Sequence, residues 1–366
     1  EGGGVRWVAA RPLARHEVLE AGEAPLLSWR PAADKADPEA AAAASAAAFL
    51  RAEPSVQREV LGLFCEPPED AAGALCGAWR RGALSAVVEA GGGPQAAAAA
   101  RAAAAAHFNA FETLDGSLAL YRRCSRFNHS CAPGAEYSCL EDGRLRVRTL
   151  RPFAPGEEVR ISYLGSEALL SRSTRRLGLR ARYLFDCDCD RCVCALAEEA
   201  DPGAAGQVLE RRAAALSGRW EASAQPPELA EALRPTAEGL LREAAGLRLA
   251  PRHIIHRRLQ LLCLELGVAG LAWRAGSEER APPPADEGAG EAHGELRRLL
   301  RLWDEVLAWL RTPGRPLEHC WGIFLAEVGF ALLELLTAEG AKAHFEAEAE
   351  QIGALMQDWA GNASAG

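Results

Sequence analysis

The sequence predicts an α+β protein: short strands on either side of a helical insert, then an all-helical C-terminal region of helix hairpins. Three observations carry this. Short apolar runs broken by turn residues fill 5–29 and 107–165. Alanine-rich, helix-favouring sequence lies between them, over about 36–106. Beyond residue 194, apolar residues recur at helical spacing.

The elements follow in chain order. "VRWVAARPLARHEVLEAGEAPLLSW" (5–29) has small apolar pieces interrupted by Pro and Gly, which reads as short strands with turns. "PEAAAAASAAAFLRAEPSVQREVLGLF" and "GPQAAAAARAAAAAHF" are helices by propensity rather than by an apolar stripe, with Pro54 and "EPPED" separating them. "LRVRTLRPF" and "EEVRISYL" alternate apolar and polar residues as half-buried strands do, and "PGEE" (155–158) between them has turn chemistry. Helices are predicted over 227–247, 252–273, 294–310, 317–340 and 343–359, arranged as stacked antiparallel pairs. The polar, Pro/Gly-rich stretch 276–294 is expected to be a loop.

A chain of 366 residues permits two or three units. Its 49% hydrophobic and 25% charged residues are ordinary for a globular protein. No apolar run is long enough to span a membrane, and no secretory signal is visible at the start, so an intracellular protein of the cytoplasm or nucleus is expected. Only Lys35 and Lys342 are lysines; the arginine and alanine excess reads as compositional bias and does not point to nucleic acid. Residues 1–194 carry 24 acidic and 24 basic side chains, whereas 195–366 carry 26 and 17. The net charge of −9 therefore lies in the C-terminal part, a surface suited to basic partners and unsuited to DNA or RNA.

Four of the eleven cysteines crowd into "CDCDRCVC" (187–194). Cys187, Cys189 and Cys192 form Cys-x-Cys-x-x-Cys, three thiolates close enough to wrap one zinc ion, but a closed structural site takes four ligands. Cys194 is one candidate for the fourth. Cys131, in "RFNHSCAPG" (126–134), is the other, and would pin a distant loop to the cluster.

"FNHSCAPG", then a strand pair, "PGEE", "VRISY" and "CDCDRC" resemble, in that order, the C-terminal part of a SET domain with its post-SET cysteines. The pattern is most similar to the SET-and-MYND type of protein lysine methyltransferase. The resemblance is strong over 107–194, weaker over 1–27 and architectural over 195–366. It implies a SET plus post-SET unit from 1–27 and 107–194, a helical insert at 28–106 and a helical C-terminal domain at 195–366. It implies S-adenosylmethionine as cofactor and one structural zinc held by Cys131, Cys187, Cys189 and Cys192. By the same resemblance Gly4, Asn109, Ser125, Asn128, the backbone of His129, and Phe185 would contact the cofactor. Tyr163 matches the principal catalytic tyrosine, Tyr183 a second channel tyrosine, and Phe111 part of the channel wall. The substrate would be a lysine on a histone or non-histone protein.

Three departures stand out. Arg6 occupies the second glycine position of the usual Gly-x-Gly, where its side chain would crowd the cofactor or meet its carboxylate. Gly134 replaces the last Asn of Asn-His-Ser-Cys-x-Pro-Asn and is expected to loosen that loop. The MYND finger needs seven cysteines and a histidine, but 28–106 contains only Cys65 and Cys76 as cysteines. Arg6 and Gly134 would also suit a non-catalytic SET-fold interaction module, the rival reading.

Overall fold

The first apolar runs fold as β1 (Val18–Glu23) and β2 (Leu27–Trp29). A computed structural model describes residues 6–33, 37–63, 73–194, 196–221, 226–250, 253–276, 287–311, 328–338 and 341–364. Gly4 and Cys65 lie outside these residues.

Among the described residues the strands make three small sheets. β3 (Phe111–Glu112), β4 (Leu118–Leu120), β5 (Asn128–His129), β6 (Ala135–Cys139), β7 (Leu145–Thr149) and β8 (Arg160–Ile161) complete the set. One sheet has the order β1-β7-β6, another β2-β4-β3, both antiparallel. β7 shows the predicted alternation: Leu145, Val147 and Thr149 are buried while Arg146 and Arg148 are half-buried. Gly143, at φ +77°, closes the β6–β7 turn, a conformation that glycine adopts without a Cβ penalty. The third sheet is a two-residue parallel pair, Asn128 opposite Arg160 and His129 opposite Ile161. "EEVRISYL" therefore yields only two strand residues, and Tyr163 stands beyond them.

The insert forms α1 (Pro38–Arg51), α2 (Pro54–Val60), α3 (Gly73–Glu89) and α4 (Ala96–Asn109). Asp37 caps α1 by accepting the Glu39 N–H at 2.9 Å, and Pro38 sits at the first helical position, where a missing N–H costs nothing. The alanines do more than favour helix. Ala42, Ala46, Ala83, Ala86 and Ala99 are buried where α1, α3 and α4 meet. A Cβ on Gly82 would run into Glu39 O and Ala42 Cβ, so small residues set how closely α1 and α3 approach. Helix persists to Asn109, three residues into the segment predicted as strand.

Further along are α5 (Arg172–Tyr183), α6 (Asp190–Val193), α7 (Gly203–Glu221), α8 (Pro227–Gly246), α9 (Ile254–Gly276), α10 (Glu287–Leu310), α11 (Phe330–Thr337) and α12 (Glu346–Ser364). The α7, α8 and α9 faces share a core around Leu209, Trp220, Leu233, Leu259 and Leu266. The expected loop at 276–294 is corrected at its end. Residues 287–294 are the first turns of α10, and 277–286 lie outside the described residues. Each glycine there costs a helix about 1 kcal/mol. The cost is outweighed by continuity with a buried stripe of Leu296, Leu299, Trp303, Val306 and Leu310.

By its contacts the chain divides into two compact units, Glu1–Ile161 with Leu179–Asp186, and Ser162–Gly178 with Cys187–Ala365. No helix among the described residues is long and apolar enough to cross a membrane.

Candidate active site and metal centre

Residues 121–129 are held by buried polar groups. The Glu23 carboxylate, 8% exposed, accepts the backbone N–H of Arg123 and of Cys124, each at 2.8 Å. Ser125 Oγ accepts the Tyr121 N–H at 3.0 Å and donates to Asn109 O at 2.9 Å. Two predicted cofactor residues, Asn109 and Ser125, are thus joined directly. The Asn109 amide turns back and donates to Ala105 O at 2.7 Å, capping the last turn of α4. Trp7 stacks on Phe127 with centroids 4.8 Å apart and donates to Arg123 O at 3.1 Å.

Asn128 is exposed and donates to Glu158 Oε1 at 2.7 Å; Glu158 in turn pairs with Arg160 at 2.7 Å. His129, 5% exposed, has its ring centroid 5.9 Å from that of Phe185. Glu23, Trp7 and Glu158 were not read from the sequence as site residues. Glu158 was visible in "PGEE", but only the fold shows that it faces Asn128. Arg6 is exposed.

The aromatic residues fall into distinct settings. Phe111 meets Tyr137 edge-on at 4.8 Å and Tyr121 at 5.6 Å. Tyr121 is fully buried, donates to Gly143 O at 2.6 Å, and burial raises its pKa well above the ordinary range. Tyr183 ends α5 and packs, half-buried, against the core containing Trp29, Trp79 and Phe108. His107 binds the preceding carbonyl, Arg182 O, at 2.7 Å, and burial lowers its pKa, favouring the neutral ring whose Nε2–H donates there. Leu184 then adopts φ +60°, a costly conformation for a non-glycine residue, immediately before Phe185. Tyr163 is half-buried at the apex of a turn in which Ser162 Oγ accepts the Leu164 N–H at 3.1 Å and donates to Leu164 O at 2.8 Å. Leu164 is buried and anchors that turn.

The sulfurs of Cys131, Cys187, Cys189 and Cys192 lie within 4.8 Å of one another, and all four residues are buried. A tetrahedral zinc with Zn–S bonds of about 2.3 Å holds its sulfurs about 3.8 Å apart, inside this limit. A donor set of thiols alone suits zinc better than a hard cation. Cys194 is exposed and outside the cluster. The Cys131 loop is tied down by Ser130 N–H to Ile161 O at 2.8 Å and Gly134 N–H to Arg160 O at 3.1 Å. Around the other cysteines, α6 begins at a Cys189 carbonyl that accepts from Cys192 N at 2.8 Å and Val193 N at 3.0 Å.

α6 is fastened by a buried ion triad. Glu199 accepts from Arg191 Nε at 2.9 and 3.0 Å and from Arg175 at 2.8 Å, with side-chain exposures of 2%, 4% and 0%. The spare guanidinium N–H groups reach Ala168 O at 2.9 Å and Leu170 O at 2.6 Å. Neither α5 nor this triad is legible in the sequence, because α5 is rich in arginine and buries Arg175 beside Leu179.

Gly134 corrects an expectation. Its backbone is hydrogen-bonded on both sides, and Leu150 N–H donates to its carbonyl at 2.8 Å. A Cβ here would strike the buried Phe153 ring, over which Arg151 lies at 4.1 Å. Glycine makes room for that ring rather than loosening the loop. Gly134→Asn is therefore expected to destabilise the chain by about 1–3 kcal/mol, read from the urea unfolding midpoint.

The comparisons agree with this geometry. Residues 4–164 match the SET domain family. The mouse protein-lysine N-trimethyltransferase SMYD5 is 47% identical over 77 residues, covering 20% of this chain and 18% of that protein. Its zebrafish counterpart is 41% identical over 85 residues, covering 23% and 20%. The mouse histone-lysine N-methyltransferase SMYD3 is 39% identical over 82 residues, covering 22% and 18%. The chain thus spans about a fifth of the length of these relatives. The ordered motifs, the strand pairing and these comparisons agree: residues 4–164 match the SET domain family, and the local similarity is to methyltransferases of the SMYD type.

Proposed function

We propose that this chain transfers methyl groups from S-adenosylmethionine to lysine side chains of protein substrates, histone or non-histone. The observation that carries the reading is the Asn128–Cys131 segment. It holds Asn128 and His129 in the β5–β8 pair and, two residues on, contributes Cys131 to the four-sulfur cluster.

The residues fit the cofactor chemically. Its amino-acid end carries both charges, and Asn128, Glu158 and Arg160 supply an amide, a carboxylate and a guanidinium side by side. Phe185 offers an aromatic face for adenine beside His129, with Asn109 and Ser125 bracing the loop. Bound there, the cofactor supplies an electrophilic sulfonium methyl. The chain must present a neutral lysine amine, although a free lysine has a pKa of about 10.4. On this reading Phe111 and Tyr183 would line a narrow channel that disfavours the ammonium, and the Tyr163 hydroxyl would orient the amine.

We assign 1–27 and 107–194 to the SET and post-SET unit, 28–106 to its insert and 195–366 to a helical domain. The acidic surface of that domain would attract basic substrate segments, with the protein acting in the cytoplasm or nucleus. Zinc is the proposed occupant of the cysteine cluster. Elemental analysis should find about one zinc per chain. Cys131→Ser should lose it far more readily than Cys194→Ser, and the reverse order would sink the assignment. The direct test of activity is incubation with methyl-labelled S-adenosylmethionine and a whole-cell protein extract. Label should appear on protein lysines. Failure of the folded chain to bind the cofactor would favour the non-catalytic module.

A further inference from the structure

The buried imidazole of His129 has a contact that cofactor binding through its backbone does not explain. Its Nε2 lies 3.3 Å from Cys131 Sγ, within range of an N–H···S hydrogen bond. The backbone on both sides is immobilised. His129 is paired with Ile161 in the parallel sheet, and Ser130 N–H donates to Ile161 O at 2.8 Å. The ring is hemmed in on a second side by Phe185. Its position relative to the sulfur is therefore set by the fold and not by a mobile side chain.

We infer that the His129 side chain is an outer-shell donor to the Cys131 thiolate, holding that sulfur in orientation and stabilising its negative charge when a metal is bound. The inference rests on the reading of the four cysteines as a metal site. A cysteine ligates as the thiolate, and four thiolates on one divalent ion leave two excess negative charges in a buried setting. An N–H aimed at one sulfur offsets part of that charge. The imidazole then carries its proton on Nε2, which fixes the tautomer. One residue would thus serve two neighbouring sites, its backbone facing the cofactor strand and its ring facing the metal.

Outer-shell donors of this kind typically change metal retention by about 10- to 100-fold. The test is zinc release from the purified 366-residue chain to a colorimetric chelator, with folding followed by circular dichroism. His129→Leu, which fills similar space without a donor, should release zinc about tenfold faster. His129→Gln, whose amide nitrogen can occupy the Nε2 position, should restore most of the retention. In cobalt-substituted protein, the sulfur-to-cobalt charge-transfer band of His129→Leu should move to lower energy, because an unbonded thiolate gives up charge more easily. A merely structural role would not move that band. Should His129→Leu fail to fold, His129→Met, also without a donor, takes its place. Wild-type release in the donor-free variant, or equal release in the Leu and Gln variants, overturns the inference. Cys131→Ser in the same assay separates the two levels. Unchanged retention there removes the metal assignment itself, whereas loss there with wild-type behaviour in His129→Leu removes only the hydrogen bond.

Discussion

Tyr163→Phe is expected to lower the rate of methyl transfer by about 100-fold or more, with fold and cofactor affinity close to wild type. The substitution keeps the ring and deletes one oxygen. Tyr163 is only half-buried, and its turn is held by Ser162 and Leu164, so its backbone position does not depend on the hydroxyl. What the hydroxyl supplies, on the proposed chemistry, is orientation of the attacking amine in the transition state. A 100-fold loss corresponds to about 2.7 kcal/mol of barrier, within the range for one well-placed polar group at a reacting centre. Single-turnover transfer of labelled methyl to the same substrate measures it directly. Tyr183→Phe is the comparison: this tyrosine ends α5 and packs on the core, so its hydroxyl is expected to alter the number of methyl groups added more than the first transfer. A Tyr163→Phe enzyme that binds cofactor and methylates at the wild-type rate would remove Tyr163 from the mechanism.

Glu199→Ala is expected to cost about 3–5 kcal/mol of folding stability, the largest loss predicted for a single side chain here. Glu199 is the sole carboxylate of the triad with Arg175 and Arg191, and all three are almost wholly buried. Its removal takes away the carboxylate that faces two buried guanidinium charges. Their bonds to Ala168 O and Leu170 O remain, but neutral carbonyls do not balance the charge. Glu199→Gln keeps an acceptor oxygen and loses the charge, so it should fall between alanine and wild type. Urea unfolding would measure both. Because Arg191 lies between Cys189 and Cys192, the same variants should also release zinc sooner. Wild-type stability for Glu199→Ala would mean that water reaches this site and solvates the arginines.

The motifs that suggest a chemistry for this protein lie in local sequence. Asn-His-Ser-Cys, Gly-Glu-Glu, the tyrosine after "VRIS" and Cys-x-Cys-x-x-Cys are short patterns whose order alone pointed to a SET domain. The helical insert and helical C-terminal region were legible for a similar reason, since propensity and 3.6-residue periodicity are properties of neighbouring residues. Contacts between distant residues were not. The thiols of Cys131 and Cys194 are equally plausible partners for the cluster on spacing alone; only the fold gathers Cys131 and leaves Cys194 exposed. Gly134 looked like a source of freedom until Phe153 was seen to fill the space of its missing side chain. Glu23 beneath the Arg123 and Cys124 amides is 100 and 101 residues from them in sequence. The physical reason is the same in each case. A buried polar group is stable only when its partner is brought to it, and that partner is chosen by chain topology, which residue type and spacing do not encode.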